Sequence, residues 1–223
     1  MLENVSALTI LVPLLAAFAV SGLAWIRTTY CLPVALIGLL GSLLASLAVL
    51  NQVVSGGALM YKMAGWPPPI GIELRIDLFN SLLLVTISAV ALVNLIASWE
   101  FVKNELADRK ETFLALYLLF VTGLMGVTAT ADLFNLYVLL EITSLSAYAL
   151  IALGPSPRAP LASLNYVYLG VIGASFYLLG VGYLYIMTGS LNMGDIAALL
   201  PQIWTSQTVL LGFIFCLIGV WIK

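Results

Sequence analysis

The sequence predicts an all-α integral membrane protein with about seven transmembrane helices. Three observations lead there. Of its 223 residues, 63% are apolar and only 8% are charged, giving a mean hydropathy of +1.14. Stretches 5–26, 31–54, 78–99, 133–153 and 164–187 each exceed the ~18 apolar residues that a spanning helix needs. None shows the strict alternation of a barrel strand, so helices are left as the means of satisfying the backbone in hydrocarbon.

The first span, 5–26, has no basic segment before it and is long enough to cross, so a retained helix is expected rather than a cleaved signal peptide. The second, 31–54, leads into a long loop, 55–77. That loop holds Gly56-Gly57 and Gly65-Trp-Pro-Pro-Pro-Ile-Gly71, followed by Glu73, Arg75 and Asp77. Three consecutive prolines impose a stiff, extended backbone that cannot be helical, which predicts an ordered outer turn. After the third span, 78–99, the loop 100–112 mixes both charge signs and reads as a solvated connector. Residues 113–130 sit at the length limit and read as a fourth span, and 133–153 as a fifth.

The sixth span carries Gly170, Gly173, Ala174, Gly180 and Gly182, small residues at spacings that let helices approach closely in lipid. Ser163 and Asn165 stand at its start. Thr188-Gly-Ser-Leu-Asn-Met-Gly-Asp195 reads as a turn followed by an Asp-containing helix start. Residues 209–222 form a seventh apolar run, too short to cross unaided. There is no sign of a soluble domain, a low-complexity tract or a strong internal repeat.

Charge in the short loops sets an orientation. Arg27, the set Lys103, Arg109 and Lys110, and Arg158 fall in alternate loops, while the opposite loops carry Lys62 and Arg75. The positive-inside rule then predicts an outward N-terminus in a multi-pass protein of the cell membrane. Trp25, Trp66, Trp99 and Trp204 lie near span ends, where an interfacial belt would place them. A net charge of −2 with no basic stripe gives no reason to expect nucleic acid. Cys31 and Cys216 lack metal spacing and read as small apolar fillers. With no histidine for haem, no clustered cysteines and no dinucleotide-binding glycine pattern, no cofactor is expected, and neither is a stand-alone redox enzyme.

Glu141 is the residue that points to function. It lies nine residues after Asp132 in Asp132-Leu-Phe-Asn-Leu-Tyr-Val-Leu-Leu-Glu141-Ile-Thr-Ser-Leu-Ser-Ala-Tyr148, hence ~13 Å along the fifth span and near the bilayer midplane. A charge at that depth costs several kcal/mol, so an intramembrane acid is a functional candidate by default. Tyr137, Glu141, Ser144 and Tyr148 share one helix face, which gives the acid hydroxyl partners. Burial disfavours the charged form of a carboxyl and a nearby ammonium favours it; a group balanced between the two can relay protons. A hydrogen-bonded structural acid is the plainer alternative. Asp132 reads first as a helix cap.

Lys223 ends the seventh run, ~22 Å along that helix from Thr208. Snorkelling to the interface is one destination for its ammonium. A chain stopping there leaves its last turn at membrane depth, so the sequence is expected to be the front part of a longer polypeptide.

Four stretches together resemble one family. They are Gly65-Trp-Pro-Pro-Pro-Ile-Gly-Ile-Glu73, the Asp132–Tyr148 stretch, Gly173-Ala-Ser-Phe-Tyr-Leu-Leu-Gly180 and Thr188-Gly-Ser-Leu-Asn-Met193. The family comprises the proton-conducting membrane subunits of Mrp-type cation/proton antiporters, respiratory complex I and energy-converting hydrogenases, with the likeness nearest to the Mrp antiporter's D-type component. The resemblance implies about fourteen helices in the full-length protein, of which this chain is the N-terminal half. It divides the chain into residues 1–112, the first three helices with their loops, and 113–223, an incomplete first proton-translocating repeat. It also implies that Glu141 and Lys223 form an ion pair on a proton half-channel, with Tyr137, Ser144 and Tyr148 as supporting relay groups.

The function so implied is proton translocation within a multi-subunit Na+/H+ antiporter. It would proceed in the lipid bilayer among other membrane subunits, with protons, and Na+ as a second candidate, as the ions moved. A membrane-arm subunit of an NADH:quinone oxidoreductase or of a membrane hydrogenase is the alternative within the family. A non-transporting scaffold or truncated fragment is the alternative outside it.

Overall fold

A computed structural model describes residues 4–106 and 108–223. Residues 1–3, ahead of the first span, and residue 107 in the 100–112 connector lie outside the described residues. The chain forms eight α-helices among the described residues: α1 Val5–Leu23, α2 Cys31–Gly56, α3 Leu78–Glu105, α4 Lys110–Ala129, α5 Leu133–Ala152, α6 Ala159–Thr188, α7 Met193–Ile203 and α8 Gln207–Ile222. The first six are long and apolar enough to cross a membrane. Helix α8 has 16 residues, about 24 Å, and falls short of a ~30 Å hydrocarbon core, in keeping with its reading as too short to cross unaided.

The boundaries follow local chemistry. α3 begins where Asp77 accepts the Asn80 backbone N–H at 2.9 Å, a side-chain cap on an otherwise orphaned donor. It runs past Trp99 to Glu105 because residues 100–105 contain no breaker. Its polar end carries the exposed Glu100–Lys103 pair at 3.9 Å, which adds little. α6 starts five residues earlier than its apolar run, with Pro160 in its first turn, where a fixed φ and a missing N–H do no harm. It ends at Gly189, whose φ of +68° is the left-handed C-cap conformation glycine adopts without strain.

The expected outer turn is more than a loop. Strands β1 Leu59–Lys62 and β2 Glu73–Ile76 pair antiparallel, with Leu59 opposite Ile76 and Lys62 opposite Glu73. The triple proline lies in the ten residues between them. β2 turns Leu74 and Ile76 into the core while Glu73 and Arg75 alternate outward.

Packing divides between two seams. α1 lies against α2 and α4, and α2 against α3, around Val20, Leu39, Leu84, Leu118 and Met125, all nearly or fully buried. α5 connects this group to α6, and α6 makes the most extensive helix contact among the described residues with α8. Where α4 meets α5, a Cβ on Gly126 would lie 2.3 Å from Leu139 Cδ2, so the glycine is what lets that leucine seat. Both cysteines are free thiols. Cys31 leans on the Val20 carbonyl and Cys216 on that of Tyr177, each at 3.8 Å, in the filler role expected of them.

Candidate functional site

Two polar centres stand out in this apolar bundle. The first lies where the hairpin, the start of α5 and the α6–α7 turn converge. Single bridges join Leu74 to Thr130 and Asp132 to Asn192. Backbone bonds run from Ala131 N to Glu73 O at 2.9 Å, from Leu133 N to Leu191 O at 2.9 Å and from Met193 N to Ala131 O at 2.8 Å. Asn192 donates its side-chain amide to Glu73 Oε2 at 3.0 Å, while its Oδ1 caps α7 on the N–H groups of Gly194 and Asp195. Glu73, Arg75, Asp77, Asn192 and Asp195 line a cavity of about 440 Å³ here. Three of the four stretches that carry the family likeness therefore meet at one point. Sequence reasoning assigned no role to Glu73 or Asn192; their joint presence in those stretches was the only signal.

Asp132 sits in this knot, buried, accepting the Asn135 N–H at 2.7 Å. Burial pushes its carboxyl above the ordinary value of 3.8, opposed by hydrogen bonds from the Asn135 and Phe134 backbone. A raised native pKa means the folded protein holds the proton more tightly than the unfolded chain. Stability therefore falls as pH rises from the unfolded value through the native one, and the penalty is complete above both. Asp132→Asn keeps the cap without the buried charge. It is expected to raise the thermal midpoint in detergent at neutral pH and to flatten its dependence between mildly acidic and neutral pH. Asp132→Ala loses the cap and should sit about 1 kcal/mol below the asparagine variant.

The second centre is inside the bundle. Glu141 projects from the middle of α5 and Lys223 follows the last turn of α8, held there by its backbone N–H to Gly219 O at 3.2 Å. α6 lies between these helices, in contact with both. Lys223 Nζ donates to Glu141 Oε1 in an ion pair, with the side chains 10% and 24% exposed respectively. Interfacial snorkelling, one sequence-derived destination for the lysine, is not what the structure shows: the ammonium turns to the carboxylate.

The supporting hydroxyls differ in placement. Ser144 lies one turn along α5 from Glu141 and one turn before Tyr148, on the same helix face. Tyr148 is buried between α5 and α6. Tyr137 is half-buried with its ring centroid 6.0 Å from that of Phe134, and among the described residues no hydrogen bond ties it to the pair. No group of histidine, cysteine or carboxylate side chains suited to a metal ion occurs among the described residues.

Known proteins resemble this chain in sequence and fold. Residues 130–223 match the family described as NADH:quinone oxidoreductase/Mrp antiporter, TM. The chain is 42% identical, over its whole length and 44% of the relative, to NADH-quinone oxidoreductase subunit N of Desulforudis audaxviator. It is 36% identical over 209 residues, 92% of this chain and 41% of the relative, to the putative antiporter subunit mnhD2 of Staphylococcus saprophyticus. Among solved structures, it superposes with a TM-score of 0.91 at 37% identity on a chain of the membrane-bound sulfane sulfur reductase, an archaeal respiratory membrane complex. That match covers 97% of this chain and 44% of the other. The chain thus spans less than half the length of these relatives. It belongs to the antiporter-like membrane-subunit family that Mrp antiporters, complex I and the sulfane sulfur reductase complex share.

Proposed function

We propose that this chain carries part of a proton path, with Glu141 as the group that takes up and releases the proton and Lys223 as the charge that controls it. The observation that carries this reading is the ion pair itself, formed between side chains from the middle of α5, an apolar helix long enough to span, and the end of α8. While the lysine is charged and close, the carboxylate form of Glu141 is favoured; when the lysine moves off or loses its proton, the acid is driven to bind one. Ser144 and Tyr148 extend the path along α5, and Tyr137 lies on the same face. Residues 113–223 would then be an incomplete first translocating repeat, behind the N-terminal helices of 1–112, with the N-terminus outside.

Two assemblies fit the family. An Mrp-type antiporter would exchange Na+ for protons across the cell membrane. A respiratory membrane arm would pump protons, driven by redox partners, and it is favoured by the greater identity to the oxidoreductase relative than to the antiporter one. The test for either is Glu141→Gln in the assembled complex, with proton flux measured in vesicles at matched expression. Loss of flux is expected, and flux at the wild-type rate would sink the relay role. In the wild-type protein, infrared difference spectra should also show the Glu141 carboxyl changing ionisation during turnover. A purely scaffolding acid would stay silent.

A further inference from the structure

Tyr148 is held by α6 at three points, and each contact fixes a different part of it. Ser163 Oγ donates to its backbone carbonyl at 2.7 Å. The Tyr166 ring meets its ring edge to face, with centroids 4.7 Å apart and planes at 76°. At Gly170, a Cβ would fall 1.6 Å from the Tyr148 hydroxyl oxygen, so the phenol tip occupies the space a side chain would need. Residues 163, 166 and 170 follow the spacing that aligns side chains on one helix face. Ser144 stands on the same α5 face, one turn from Tyr148 on one side and one turn from Glu141 on the other.

We infer that Gly170 is a positioning residue of the proton path, seating the Tyr148 hydroxyl as its next station beyond Ser144, with Ser163 and Tyr166 as the other walls of the seat. This rests on the proposal that Glu141 carries the proton. The hop is conservative: the phenol oxygen accepts one proton and releases its own, so Tyr148 begins and ends neutral. General small-residue packing does not account for the arrangement. Gly182, on the same helix, has nothing within 4 Å of a built Cβ, whereas at Gly170 the nearest atom is the one polar atom of the tyrosine tip.

The experiment is a double-mutant cycle in the assembled complex, reading proton flux and its solvent deuterium isotope effect. Gly170→Ala and Tyr148→Phe should each lower flux roughly 10- to 100-fold, the size of a lost proton-transfer group. Their combination should be no slower than Tyr148→Phe alone, because no hydroxyl remains to be positioned. Residual flux in Gly170→Ala should show a larger isotope effect. Losses that multiply, with an unchanged isotope effect, mean packing only and overturn the inference. Should Gly170→Ala fail to assemble, Ser163→Ala is expected to lower flux and Ser163→Thr, which keeps the hydroxyl, to restore it; equal rates in both overturn it too. Full flux in Glu141→Gln would remove the underlying proposal. An inactive Glu141→Gln beside fully active Gly170→Ala and Tyr148→Phe would remove this inference alone.

Discussion

Lys223→Met alone is expected to destabilise the assembled protein by roughly 3–5 kcal/mol, whereas Lys223→Met combined with Glu141→Leu should be as stable as the wild type or more so. The asymmetry comes from desolvation. Both side chains are largely shielded and lie in a stretch where the alternative to a protein partner is hydrocarbon. Removing one partner strands the other, and an unpaired charge at this depth must neutralise or drag water and headgroups toward it. Removing both eliminates two charges whose mutual attraction only about offsets the cost of burying them. Thermal midpoints of purified protein would rank the variants. Transport would not follow the same order: the stable double variant should carry no proton flux, since the pair's proposed purpose is control of protonation. A double variant less stable than either single one would show that the pair is a structural brace.

The helical plan was legible because lipid leaves the backbone few options, so composition and run length located every span. Only the ends moved: polar residues without a breaker let α3 run on, and α6 starts early because Pro160 is tolerated in its first turn. α7 was visible only as a helix start after a turn, since eleven residues with no hydrocarbon-length run give no spanning signal. The hairpin escaped notice for a different reason. Its strands are four residues each and are paired across a ten-residue loop, and no local pattern announces such a contact. Glu141 was legible by its cost, an acid where acids are expensive. Its pairing with Lys223 was not, because 82 positions separate them and nothing in spacing brings α8 to α5; only the family likeness suggested it. The seat around Tyr148 was harder still. Gly170 looks like any other glycine on a packing helix until the phenol is seen lying over it.

Gly219→Val should disrupt the α6–α8 seam, and it should do so in two linked ways. A Cβ at Gly219 would lie 2.5 Å from the Tyr177 backbone nitrogen and 2.7 Å from the Gly173 carbonyl oxygen. These are backbone atoms of α6 and cannot turn aside as a side-chain tip can, so the helices must part. Overpacking of this kind costs typically about 1–3 kcal/mol, with larger values where no rotamer relieves it. Lys223 hangs one turn beyond Gly219 on its backbone hydrogen bond, so any outward shift of α8 is passed to the ammonium that reaches Glu141. Lower thermal stability and lost proton flux should therefore appear together. The control is Gly182→Ala, also on α6, where a new methyl meets open space and helix propensity improves by about 1 kcal/mol. Wild-type stability and flux in Gly219→Val would mean that α8 is held against α6 by something other than glycine-mediated backbone approach.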